Sequence, residues 1–208
     1  MAVERVSFGL KTGECFALLG VNGAGKSTVF KSLTNDVTPT KGEITIRGIN
    51  AVKDFSKVKR MIGYCPQNNA IFPLLTVDEH LRMYAKVKGI SADMQDQVID
   101  SIAEKLYLQD HRSKLAKNLS GGNARKLSVA IALLGSPKVI LLDEPSSGMD
   151  PEARRIMWQF VEKISTHDKK STVILTTHSM EEAEALSTKM AIMARGQYGG
   201  LFRCFGSS

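Results

Sequence analysis

Short apolar runs alternate with amphipathic stretches along most of the chain. The runs Cys15–Leu19, Ile44–Arg47, Met61–Cys65, Val139–Leu142, Val173–Thr177 and Met190–Met193 predict strands. Several are solidly apolar, which suits parallel strands covered on both faces. Helix patterns lie between them. After Asp150 and Pro151, the residues Ala153, Ile156, Met157, Phe160, Val161 and Ile164 form one stripe at helical spacing. Asp150 fits the N-cap of that helix, with Pro151 in the first turn, where a missing N–H removes no bond. Thr76 with Glu79, and Ser179 with Glu182, have the spacing of capping boxes. The alternation predicts an α/β fold with a mainly parallel sheet.

From about Asn68 to Leu119 the pattern is helical only. Val77/Leu81/Tyr84/Ala85 and Val98/Ile102/Leu106 form apolar stripes there, and no strand pattern interrupts them. The expected organisation is one domain over 1–208. Its α/β core would comprise about 1–67 and 137–208, with an inserted helical lobe at about 68–136. In the loop Asn68–Leu75, the residues Ile71, Phe72 and Pro73 either pack on their own lobe or form a docking surface.

Composition narrows this picture only a little. With 208 residues, 43% hydrophobic and 24% charged, the chain is an ordinary globular domain, which excludes a disordered tail, a collagen and a disulfide-stapled miniprotein. A net charge of +7 attracts anions of many kinds and does not choose among them. No apolar run reaches the length of a membrane span, and the first residues lack the apolar core of a signal peptide. Cys15, Cys65 and Cys204 are far apart in apolar settings and read as buried thiols; no Cys/His spacing suggests zinc. His80, His111 and His167 are expected on the solvated surface, and Trp158 in packing or an interface.

Candidate chemistry begins at Gly20-Val21-Asn22-Gly23-Ala24-Gly25-Lys26-Ser27, which fits G-x-x-x-x-G-K-[ST] between a predicted strand and a helix starting near Thr28. Glycines let backbone N–H groups curl around phosphate oxygens, and the helix N-terminus faces the same anion. Lys26 adds a full charge, and the Ser27 hydroxyl can ligate Mg²⁺. A second element is the apolar run Val139–Leu142 ending in Asp143 and Glu144. Ligands of parallel sheets bind beyond the carboxyl ends of strands, so these acids would fall near the phosphate loop. Asp143 could then hold Mg²⁺ and Glu144 polarise water; taken alone, the pair could also simply solvate a strand end. A third is Leu119-Ser120-Gly121-Gly122-Asn123 before a helix with Leu127, Ala130, Ile131 and Leu134 on one face. By itself that is a loop and an N-cap.

Lys26, Gln67, Leu119–Asn123, Asp143–Glu144, Gly148–Asp150 and His178 together resemble, in order and spacing, an ATP-binding cassette (ABC) transporter nucleotide-binding domain over almost the whole chain. The resemblance implies a P-loop NTPase core of RecA-like type with the helical lobe carrying the signature motif. It implies that Gly20, Asn22, Gly23, Ala24, Gly25, Lys26, Ser27 and Thr28 bind ATP, joined by Gln67. Ser27, Gln67 and Asp143 would serve Mg²⁺. Glu144 is similar to the catalytic carboxylate and His178 to the switch histidine. Ser147, Gly148, Met149 and Asp150 resemble the D-loop. Ser120, Gly121, Gly122 and Asn123 resemble the signature that binds, in trans, the ATP of a second nucleotide-binding domain set head to tail. Asn123 in the signature, GMDP in the D-loop, SMEEAEAL after His178 and the segment Phe202–Ser207 are similar to the A subfamily of eukaryotic ABC transporters, which mostly move lipids.

The expectation is therefore an ATPase that drives a membrane transporter. It would work with a second such domain and a transmembrane domain, at the cytoplasmic face of a membrane, with no nucleic acid. The alternatives are a soluble ABC protein acting on nucleic acid or ribosomes, and a non-catalytic ATP-binding fragment. The family's upstream strand, with an aromatic that stacks on adenine, has no counterpart here, so no stacking residue is assigned, and the expectation is a fragment, a truncated gene model or a domain cut from a longer transporter. Tyr198-Gly199-Gly200 looks like extra sequence in a late hairpin.

Overall fold

The computed structural model describes residues 3–164 and 171–203. His167, Cys204 and the end of the Phe202–Ser207 segment lie outside the described residues. The chain runs β1 (Cys15–Leu19), α1 (Lys26–Leu33), β2 (Thr45–Ile46), β3 (Ile49–Asn50), α2 (Phe55–Val58), β4 (Ile62–Cys65), α3 (Val77–Val87), α4 (Ala92–Lys105), α5 (Gly121–Leu133), β5 (Val139–Asp143), α6 (Pro151–Glu162), β6 (Thr172–Thr177), α7 (Met180–Leu186), β7 (Lys189–Ala194) and β8 (Gln197–Arg203). The main sheet has six strands in the order β4-β5-β6-β1-β7-β8. The first five are parallel and β8 closes the edge antiparallel to β7. The architecture is α/β with a mainly parallel sheet, as the alternation predicts.

The solid apolar runs are explained by two cores, one on each face of the sheet. Successive strand residues point to opposite faces. Cys15 and Ala17 of β1, Ile140 and Leu142 of β5, and Val173 and Leu175 of β6 join the core shared with Leu81, Ile99, Leu127 and Met157. Phe16 and Leu18, Leu141, and Ile174 join the other, with Phe30 of α1 and Met193 of β7. Pleating thus divides each run between two layers of helix.

The helical segment packs on the first of these cores through α3 and α4, with Val77, Leu81, Ala85, Ile99, Ile102 and Ala103 buried. Helix α5 lies against β4 so closely that a Cβ on Gly63 would overlap the Ala132 carbonyl oxygen and crowd the Pro137 ring. Thr76 forms the full capping box with Glu79: its hydroxyl accepts from the Glu79 N–H at 3.2 Å, and its own N–H donates to the Glu79 carboxylate at 2.7 Å. Asp150 caps α6 by accepting from the Ala153 N–H at 2.8 Å.

Several expectations need correction. Ser179 caps α7, but the Glu182 carboxylate does not return the bond; it is buried and accepts from Ser146 and Trp158 instead. His80 is not on the surface. It is fully buried, its Nε2 accepting from the Phe72 N–H at 2.8 Å and its Nδ1 facing the Thr76 carbonyl at 2.7 Å. His111 is half-buried. Strand β3 was not anticipated. Tyr198, Gly199 and Gly200 lie in the late hairpin as expected, within β8 where it pairs with β7. Cys15 and Cys65 are fully buried, as expected. Among the described residues no helix is long and apolar enough to cross a membrane.

Candidate functional site

The glycine loop leaves β1 at the carboxyl end of the sheet. Gly20 donates its N–H to the Thr177 carbonyl at the end of β6. A Cβ on Gly20 would stand 2.5 Å from the Met193 carbonyl oxygen, so only glycine lets the loop pass this close to β7. Gly23 and Gly25 have φ of 81° and 104°, the left-handed values that curl the loop before α1. Helix α1 has no acid in its first turn to oppose an incoming anion. Lys26 is buried, and its ammonium donates to the carbonyls of Gly20 at 2.6 Å and Val21 at 3.2 Å.

Strands β5 and β6 bring the acids to the same place. Asp143, the last residue of β5, accepts from the Thr176 hydroxyl of β6 through Oδ1. The same hydroxyl oxygen accepts from the Glu144 N–H at 3.0 Å, and the Thr176 carbonyl takes that N–H as well. Glu144 itself has φ of 49°, a left-handed conformation that non-glycine residues rarely adopt. That turn swings its buried carboxylate back toward the loop. It lies 3.8 Å from the Lys26 ammonium, accepts from Gln67 Nε2 at 3.3 Å and sits 3.5 Å from His178 Nδ1. Glu144, Lys26, Gln67 and the loop from Asn22 to Thr28 line one cleft of about 580 Å³, with Arg195 and Gly196 at its rim. A smaller hollow of about 110 Å³ beside it is lined by Glu144, His178, Ser147 and Gly148.

Not every predicted residue reaches the cleft. Asp143 stands behind it, buried against Thr176. Ser120, Gly121, Gly122 and Asn123 form the start of α5, Ser120 accepting from the Asn123 N–H at 3.2 Å, and do not line the cleft. Ser120 and Gly121 are exposed. Gly121 has no φ in the left-handed range, and a Cβ added to it would meet nothing. Met149 of the 147–150 segment is buried, while Ser147, Gly148 and Asp150 are exposed.

The structure also adds residues. Arg125, on the first turns of α5, is buried and reaches the carbonyls around both Gln67 and Glu144. Thr176 bonds to both acids, as above. Glu182 accepts from Ser146 Oγ at 2.6 Å and Trp158 Nε1 at 3.1 Å, tying α6 and α7 to the turn after Glu144. Such tertiary bonds have no local spacing to betray them. Burial pushes the Cys65 thiol up to about 11, leaving it protonated and inert at neutral pH. Burial also lowers the Lys126 ammonium, against the opposing pull of Asp150 and Glu152.

Among the described residues no group of three or more His, Cys, Asp or Glu is arranged to hold a metal alone. The groups around the cleft are the Ser27 hydroxyl, the Gln67 amide and the Glu144 carboxylate, with Asp143 behind. Hard oxygen donors too few to form a cage fit Mg²⁺, which keeps water and shares its ligands with a substrate's phosphates.

A family model described as ABC transporter matches residues 3–147. The chain is 47% identical over 207 residues to the phospholipid-transporting ATPase ABCA3 of Rattus norvegicus, covering 100% of this chain and 12% of that protein. It is 48% identical over 206 residues to the retinal-specific phospholipid-transporting ATPase ABCA4 of Homo sapiens, covering 99% of this chain and 9% of that one. The chain therefore spans about a tenth of the length of these relatives. Among solved structures it is similar to the dimeric ATP-binding cassette MJ0796 in a post-hydrolysis state bound to ADP and Pi. There the TM-score is 0.89 at 25% identity, covering 99% of this chain and 92% of that one. An ATP-binding subunit of an ABC transporter gives a TM-score of 0.87 at 28% identity, covering 97% and 83%.

Proposed function

Because the chain belongs to the ABC transporter family, we propose that it binds ATP in the cleft between Lys26 and Glu144, hydrolyses it, and drives a membrane transporter of lipid type. The convergence of Lys26, Gln67 and His178 on one buried carboxylate carries the reading. Gly23, Ala24, Gly25 and the N–H groups opening α1 cradle the phosphates, with Asn22, Ser27 and Thr28 beside them. Lys26 exchanges its carbonyl partners for β- and γ-phosphate oxygens. Glu144 orients a water in line with the γ-phosphorus and draws off its proton while the β–γ bridging oxygen leaves. His178 faces the charge that develops on the transferred group. Ser27, Gln67 and Asp143 are the residues that would hold Mg²⁺, which neutralises charge on the phosphates when bound.

The start of α5 supports a head-to-tail pair. Its first residues Ser120 and Gly121 are exposed and do not line this chain's own cleft, and a helix N-terminus suits a phosphate held by a second nucleotide-binding domain. Ser147 to Asp150 would lie along the same junction. The segment after Gln67, with Phe72 half exposed and Leu74 more so, is the surface assigned to a transmembrane partner. With relatives that are phospholipid-transporting ATPases, the domain would act at the cytoplasmic face of a membrane. Those relatives favour this reading over a nucleic-acid-directed protein or a non-catalytic fragment.

The deciding experiment compares phosphate release by the chain and by Glu144→Gln, with ATP binding measured in both. The expected result is retained binding and a rate lower by about 10²- to 10⁴-fold; equal rates would overturn the role of Glu144.

A further inference from the structure

Arg125 is a buried cation with no carboxylate among its bonded partners in the described residues. It belongs to α5, yet every hydrogen bond of its guanidinium leaves that helix. Nε donates to the Pro145 carbonyl at 3.1 Å. One terminal nitrogen donates to the Asp143 carbonyl and, at 3.1 Å, to that of Glu144. The other donates to the carbonyls of Pro66 and, at 3.1 Å, Gln67, and reaches the Asn69 side chain at 3.4 Å. Ser128, one turn further along the same face, donates to the same Asn69 oxygen at 3.2 Å.

A buried guanidinium is tolerated where its donors are filled, and here backbone carbonyls fill them. Those carbonyls flank the two residues that meet over the cleft, Gln67 and Glu144. The Glu144 backbone is left-handed, and such a conformation persists only where its surroundings fix it from several sides. Thr176 holds its N–H and Arg125 its carbonyl.

We propose that Arg125 is a positioning residue whose guanidinium clamps the Gln67 segment to the Glu144 turn, so that helix α5 sets the placement of both over the phosphate loop. The proposal rests on the assignment of Glu144 as the catalytic carboxylate. It also links two places: α5 carries the Ser120–Gly122 start at one end and the Arg125 clamp about one turn later. A shift of that helix when its start engages a second domain's phosphate would reach this chain's own Glu144.

The test uses the full chain with Arg125→Lys, which keeps the charge but not the fork, and Arg125→Gln. Inorganic phosphate release and ATP affinity are measured in each. Positioning predicts a kcat lower by about 10- to 100-fold in Arg125→Gln, an intermediate value in Arg125→Lys, and ATP affinity within about threefold of the parent. Without nucleotide, amide exchange across 142–147 should accelerate in Arg125→Gln, while peptides of β1 and β6 keep their rates. Unchanged kcat, affinity falling in step with kcat, or unchanged exchange across 142–147 would each overturn the proposal. If Arg125→Gln fails to fold, Arg125→Lys carries the same comparisons. If the parent chain hydrolyses ATP no faster than Glu144→Gln, the hydrolysis reading fails separately and exchange alone decides the clamp.

Discussion

The Lys26 ammonium lies 3.8 Å from the Glu144 carboxylate, and both side chains are buried. Each therefore depends on the other for a counter-charge. Removing one partner of a buried pair strands the other, at a cost of about 3–5 kcal/mol in strongly desolvated cases. Lys26→Ala should lower thermal stability, and Lys26→Ala/Glu144→Gln should recover part of the loss. A double-mutant cycle from unfolding midpoints measures the coupling, expected at about 1–3 kcal/mol. Purely additive effects would show that the two charges do not sense one another. ATP binding, measured by calorimetry, should be lost in both Lys26 variants.

Two glycines should behave in opposite ways. A Cβ on Gly63 overlaps the Ala132 carbonyl oxygen, so Gly63→Ala should destabilise the chain by about 1–3 kcal/mol by forcing α5 off β4. The melting temperature reads this, at about 2–4 °C per kcal/mol for a chain this size. Gly121→Ala meets open space and should leave the melting temperature within about 1–2 °C. If Gly121 faces a second domain's nucleotide, the same substitution should still slow ATP turnover by the paired domains. A melting temperature lowered as far as in Gly63→Ala would refute the contrast.

Acid should weaken the helical segment. Burial alone would raise the Asp78 carboxyl, but hydrogen bonds from Arg112 and Arg82 outweigh it and hold the group below the usual carboxylate range. A depressed folded-state value means stabilisation that is present above the unfolded value, near pH 4, and is lost as pH falls through the lower folded value. Urea midpoints should therefore drop below about pH 4. Asp78→Asn should cost about 1 kcal/mol at neutral pH, since the partners are partly exposed, and should flatten that acid limb. An unaltered limb would discharge Asp78 from this role.

Glu182 offers a spectroscopic handle. It accepts from Trp158, the only tryptophan of the chain, and from Ser146, three elements from the site meeting at one carboxylate. Glu182→Gln keeps an acceptor oxygen and should be mild. Glu182→Ala leaves a buried hydroxyl and an indole N–H unpaired, at about 1–3 kcal/mol, and should shift Trp158 emission. Identical spectra and stabilities for the two variants would contradict the assignment.

How much of this was legible beforehand depended on whether the signal was local. Strands β1, β5 and β6 announce themselves because both faces are covered, so their runs Cys15–Leu19, Val139–Leu142 and Val173–Leu175 are apolar without alternation. Strand β3 is two residues long, too short for any period, and β8 hides its pattern behind two glycines. His80 was misplaced although it stands three residues after Val77 and one before Leu81, on the buried side of α3. A histidine there is held by its two ring bonds rather than expelled. Gly20 and Lys26 stood out because the glycine-loop pattern is contiguous, and Glu144 because two acids end an apolar run; the structure brings Lys26 and Glu144 together. Arg125 and Thr176 act across the fold, and no spacing records that.

The position of β1 also bears on the order of events during synthesis. Cys15 and Phe16 pair with Val173 and Ile174 on one side, and Phe16 with Lys189 on the other. The strand that carries the glycine loop is thus made before both of its neighbours, and it is framed on both sides only after α7 has been translated. Long-range pairing of this kind is slow, and until it forms the nascent chain has no framed cradle with which to hold a nucleotide. A ligand that needs that cradle can reward only the finished sheet, which makes it a stabiliser of the completed fold rather than a guide to its early steps.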